Sequence, residues 1–125
     1  MQFSSYKVHR KHRASKPTQD ASIWTVPEWT EIQLFGIASQ KQWCEKGVLW
    51  AAMKEESKIA KLGNDTKCDL YIAKYKCDHN SEWHGYPVHP KDHDIPPEKI
   101  LEAWREEEII DKADKTKIKK GQFKK

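Results

Sequence analysis

Four histidines, His79, His84, His89 and His93, fall in the stretch Cys77 to Pro97, CDHNSEWHGYPVHPKDHDIPP, beside four of the chain's six prolines and Trp83. Imidazole changes charge near neutral pH, so histidines gathered in one stretch invite proton transfer or metal ligation. For cleavage of RNA through its 2′-hydroxyl, His79 or His84 would act as base and His89 or His93 as acid. Lys74, Lys76 or a tail lysine would stabilise the charge that builds on the phosphorane. For a metal, zinc being the ion these ligand types suit, the spacing offers Cys77, His79, His84 and His89 or His93. His84-x4-His89-x3-His93 has a histidine-ligand spacing, but Cys68 and Cys77 are separated by eight residues in one stretch of strand and cannot converge on one ion. Zinc therefore ranks below the other uses, and no cofactor is required.

Binding without catalysis is the third use. Trp83-His84-Gly85-Tyr86-Pro87 sets aromatic faces beside a glycine that admits close backbone approach, so Trp83 and Tyr86 can stack bases or grip an extended peptide. Core packing competes for the same rings, because only 37% of the chain is apolar and its aromatics must supply much of the interior.

Charge is unevenly distributed. Residues 1–19 carry five basic residues and no acid, residues 115–125 carry six lysines and no acid, and the intervening body has nineteen acids against twelve basic residues. Arg10, Lys11 and Arg13 in the first tail and Lys119 and Lys120 in the last are candidate contacts to a polyanion. Tails of this kind also dock on an acidic body. The body's net acidity favours an alternative partner, a basic or extended protein segment. Three cysteines and no apolar leader point to a reducing, cytoplasmic setting, and no window is apolar enough for a membrane span. Nucleotide-binding glycine loops and a serine-hydrolase elbow are missing from the sequence.

The elements that must position these residues read as a single α+β domain over 22–111, with a basic flexible arm at 1–21 and a lysine-rich tail at 112–125. Ile23 to Trp29 and Ile32 to Ile37 read as two short extended pieces, the first bent by Pro27. Ser39 and Gln42 fit a capping box for a helix from Gln40 that Gly47 would end. Val48-Leu49-Trp50 fits either a strand or a second helix. Leu62 to Asp65 reads as a stop and turn. Asp69 to Cys77 is the clearest strand, with Tyr71, Ala73, Tyr75 and Cys77 on one face, followed by a return strand over Trp83 to Val88 that Pro87 keeps at an edge. A helix over Pro97 to Glu107 presents Ile100, Leu101 and Trp104 as a stripe that docks on a small antiparallel sheet. In layout, the last fifty or so residues resemble the small toxin ribonucleases; this resemblance rests on arrangement alone and assigns no role to any residue. The expected function is RNA binding through the basic tails and the histidine and aromatic stretch. The alternatives are a protein-interaction module and a metal-independent ribonuclease.

Overall fold

The computed structural model describes residues 5–124, which form several sheets and three α-helices. In chain order they are β1 (Ser5–Tyr6), a 3-10 turn (Arg10–Arg13), β2 (Ile23–Trp24), α1 (Glu28–Lys41), β3 (Cys44–Glu45), β4 (Val48–Ala51), β5 (Lys54–Glu55) and β6 (Lys58–Ile59). Then come β7 (Gly63–Asn64), β8 (Asp69–Leu70), β9 (Ile72–Cys77), β10 (Glu82–Val88), a second 3-10 turn (Asp92–Asp94), α2 (Glu98–Glu106) and α3 (Lys112–Lys119).

The main sheet has the order β1-β10-β9-β4-β3 and is mixed, since β1 runs parallel to β10 while the other pairs are antiparallel. At its centre the β9–β10 hairpin pairs Cys77 with Trp83 through to Ile72 with Val88. The hairpin closes because Asp78 Oδ1 accepts the amides of Asn80 and Glu82, an Asx turn that Ser81 completes with a left-handed φ of 61°. The expected strand over Asp69–Cys77 is interrupted at Tyr71. Its first part, β8, joins β7 and β2 in a second, three-stranded sheet. Gly63 makes that junction fit, because a Cβ there would lie 2.0 Å from the Ile23 carbonyl oxygen.

The first expected extended piece holds at its start as β2, Ile23–Trp24, whereas helix α1 takes its last two residues, the whole of the second piece and the expected helix start at Gln40. Pro27 stands just before the first turn, Glu28 and Glu31 lie within it, and Gln42 ends the helix in a left-handed conformation, so Ser39 falls in the last turn. The helical period was masked by an inverted pattern: α1 buries Thr30, Glu31, Leu34 and Ala38 while leaving Trp29 and Ile32 exposed. Gly47 is a hairpin residue, following Lys46 in a turn where both have positive φ between β3 and β4.

One face of the main sheet packs on α1. Tyr75 is fully buried there and donates its hydroxyl to the Glu31 carbonyl at 2.9 Å. Gly85 lies opposite Tyr75 in the register, and a Cβ at Gly85 would meet the Tyr75 ring at 2.3 Å. The close approach that Gly85 permits is therefore taken by the protein's own tyrosine. In α2 the stripe Ile100, Leu101 and Trp104 is buried, and Trp104 meets Trp43 edge-on at 5.8 Å.

The basic ends are folded, unlike the flexible arm and tail expected for 1–21 and 112–125, as far as those segments are described. Residues 5–21 gain order because Tyr6, His12 and Arg13 are inserted against the domain. Residues 112–119 gain it from an Asp111–Asp114 capping box and from Ile118, and beyond them Phe123 is buried against Tyr71.

Candidate functional site

Strand β10 alternates, so Trp83, Gly85 and Pro87 face α1 while His84, Tyr86 and Val88 face the other way. The register sets Lys76 beside His84 and Lys74 beside Tyr86 on that second face. The outer edge of β10 is occupied by the N-terminal segment. The Lys7 amide donates to Trp83 O at 2.9 Å, Trp24 Nε1 to Gly85 O at 3.1 Å and Ser22 Oγ to Pro87 O at 2.7 Å. Pro87 thus faces its missing N–H outward, away from β9, where the sheet needs no donor.

From that edge the chain crosses over the second face. His12 stacks on Tyr86 with ring centroids 5.1 Å apart and planes 14° from parallel. His9 lies 4.8 Å from the His84 ring and 5.8 Å from the His12 ring. His12 Nδ1 is 2.7 Å from the Ser22 carbonyl oxygen. A carbonyl only accepts, so Nδ1 carries the proton and Nε2 of the neutral ring keeps its lone pair. Burial lowers the pKa of His12, and burial followed by the charges of His84 and Lys11 lowers that of His9, so both rings are neutral at pH 7. His84 Nε2 meets Asp78 Oδ2 at 2.9 Å, and this contact with the Glu82 and Asn80 amides holds the Asp78 carboxyl down at about 2.

The facing wall comes from the 65–68 and 89–94 loops. Asp65 Oδ1 accepts the amides of Lys67 and Cys68, and Cys68 Sγ lies 3.8 Å from both Asp65 Oδ2 and His89 Nδ1. Burial and the Asp65 carboxylate push the Cys68 thiol up, away from the thiolate a nucleophile requires. Between the walls runs an open groove of about 910 Å³ lined by His9, His12, His84, Tyr86, Cys68 and His89 among others. Five of its lysines, Lys11, Lys67, Lys76, Lys91 and Lys124, make no ion pair among the described residues. Of its four carboxylates, Asp94 is paired with Lys74 and Asp65 is turned into its own loop, while Asp20 and Asp92 make no ion pair with a described residue, so the five lysines outnumber the unpaired acids.

The residues singled out from the sequence are scattered by this arrangement. His84, His89, Tyr86, Lys76 and Lys11 line the groove, whereas His79 and His93 are exposed in turns outside its lining. Lys74 is buried, with Nζ 2.9 Å from Asp94, 3.1 Å from the His93 carbonyl and 5.2 Å above the Trp50 ring. Trp83 packs on Phe35 at 5.5 Å on the sheet face away from the groove, and one face of Tyr86 is taken by His12. Arg10 pairs with Glu28, Arg13 with Glu31 and Lys119 with Glu98, while Lys120 is exposed.

The ligand set Cys77, His79, His84 and His89 does not assemble. Cys77 pairs with Trp83 and so lies on the opposite face from His84, and His89 sits beside Cys68. Asp78, Glu82 and His84 do bring three ligand atoms within 4.8 Å of one another, but the Nε2 proton of His84 is already directed at Asp78. His9 and His12 escaped the sequence reading because they lie in an arm with little apolar content. The signal that was present is the spacing Tyr6, His9, His12, three half-polar rings at equal intervals.

Compared with protein-family models, curated proteins and solved structures, the chain matches none. Its class is therefore stated from its own geometry: a mixed α and β domain whose N-terminal segment and central hairpin enclose a histidine-lined, lysine-rimmed groove.

Proposed function

We propose that the protein binds single-stranded RNA along the groove over the second face of the main sheet, through the phosphate backbone. The observation that carries this reading is the set of five lysines around one concavity that have no carboxylate partner among the described residues and outnumber its unpaired acids, Asp20 and Asp92, while most of the other basic residues considered as contacts are held in ion pairs. Phosphates release condensed counterions when lysines replace them, so unpaired ammoniums on a groove are the chemistry a polyanion needs. Trp83 lies on the sheet face away from the groove and Tyr86 already stacks with His12, which argues for backbone contact in place of base stacking, hence for weak sequence preference.

The test is fluorescence anisotropy with a labelled, mixed-sequence RNA whose 2′-oxygens are methylated. Affinity should fall with salt, the slope of log K against log salt being about −0.7 for each phosphate engaged. A Lys67→Ala/Lys76→Ala/Lys91→Ala variant should lower both the affinity and that slope. Binding unchanged in this variant, or absent at low salt, defeats the reading.

A second reading, protein interaction, is favoured by one observation. Trp29 and Ile32 stand 66% and 46% exposed on α1, one turn apart on the helix. A Trp29→Ala variant that folds normally and loses a partner retained by the lysine variant would support that reading.

A further inference from the structure

We propose that the groove cleaves the RNA it binds, without a metal ion, with His12 as general base and His9 as general acid. This rests on the RNA-binding reading and adds a reaction to it. His12 is prepared for the first role by geometry: the Ser22 carbonyl holds the proton on Nδ1, and Tyr86 fixes the ring plane, leaving the Nε2 lone pair without a hydrogen-bond partner among the described residues. His9, 5.8 Å from it between centroids, makes no hydrogen bond with any described side chain and is near enough for both rings to reach one phosphodiester. Lys76 and Lys11 line the same groove and can stabilise the charge of the phosphorane.

The step balances with RNA alone. His12 Nε2 takes the proton of a 2′-hydroxyl, the 2′-oxygen forms a bond to phosphorus, and the bond from phosphorus to the 5′-oxygen breaks. That oxygen takes a proton from the His9 imidazolium. The products are a 2′,3′-cyclic phosphate and a 5′-hydroxyl end, and the two histidines exchange protonation states. Charged or titratable groups facing the pair are Lys7 and Lys11 on the arm, His84 and Tyr86 on β10, Lys76 on β9 and, behind His84, Asp78. Both histidines titrate below the ordinary value of 6.5, so the rate maximum falls on the acid side of that value.

The experiment compares 2′-hydroxyl RNA with its 2′-O-methyl counterpart, using the full chain in the presence of a chelator. Cleavage of the first alone, a cyclic phosphate product and a bell-shaped profile centred below pH 6.5 are expected. His12→Ala should slow cleavage by about a hundredfold or more and abolish the rise on the acid limb, and His9→Ala should do the same to the alkaline limb. His79→Ala and His93→Ala should leave cleavage unchanged. Binding of the methylated RNA by each variant shows that the groove still forms. Tight binding with no cleavage of 2′-hydroxyl RNA overturns the reaction and leaves the binding reading standing, whereas failure to bind either RNA overturns both. Cleavage that survives in the His9→Ala/His12→Ala double variant, or that the chelator stops, overturns the assignment.

Discussion

At one end of the chain Arg13 reaches into the domain, its guanidinium 2.7 Å from a Glu31 carboxylate that has no solvent exposure, with the Tyr6 hydroxyl bonded to the same group. At the other end Lys119 lies 2.8 Å from Glu98, but the two side chains are 51% and 57% exposed. The two ends carry almost the same charge, and distance alone would equate the two pairs. Water separates them: it screens the surface pair nearly to nothing, while the desolvated pair must remain intact or leave a buried carboxylate alone. The N-terminal end is therefore locked by its charges. The C-terminal end is held by Ile118 and Phe123 and by the half-buried Lys115, which bridges Glu98 and Glu102, while Lys119 adds only a surface pair.

The largest expected effect is at the buried pair. Arg13→Ala should destabilise the protein by about 3 kcal/mol in a denaturant titration, limited because burial already raises the Glu31 pKa and lets the stranded carboxylate take up a proton. A loss under about 1 kcal/mol would erase the contrast between the two ends. Ile118→Ala should cost about 2–3 kcal/mol by leaving a cavity under α3, measured in the same way. If it proves neutral, the lysines hold that end after all.

The contrast can also be sharpened by pH. The folded-state pKa values of His9 and His12 are depressed, so their contribution to stability is present above 6.5 and is lost as the pH falls below it towards the lowered values. Thermal melts from pH 7.5 to 5 should show His12→Phe to be less sensitive to acid than the parent, with the opposing effect of Glu31 common to both. The smallest effect belongs to Lys119→Ala, expected within about 0.5 kcal/mol of the parent and indistinguishable from it at high salt.

Some of the candidate site could be read before any tertiary contact was known. The β9–β10 hairpin follows from alternation on either side of the Asp78–Ser81 turn, and with it the placing of His84 and Tyr86 on one face of β10. That Lys76 shares this face depends on the register of Cys77 with Trp83, which the alternation alone does not set. The buried stripe of α2 follows from Ile100, Leu101 and Trp104 at helical spacing. Helix α1 could not be read this way, because it hides a glutamate and displays a tryptophan, and hydrophobic periodicity responds only to the reverse arrangement.

The groove itself needed long-range contacts. His79, His84, His89 and His93 are neighbours in sequence, yet the grouping that forms is His9, His12 and His84, joined over some seventy residues by arm-to-sheet packing. Local pattern fixes which side of a strand a residue occupies. It carries no record of which distant segment will cover that side, since the free energy that docks residues 5–21 resides in Glu31, Tyr86 and Pro87 as much as in the arm.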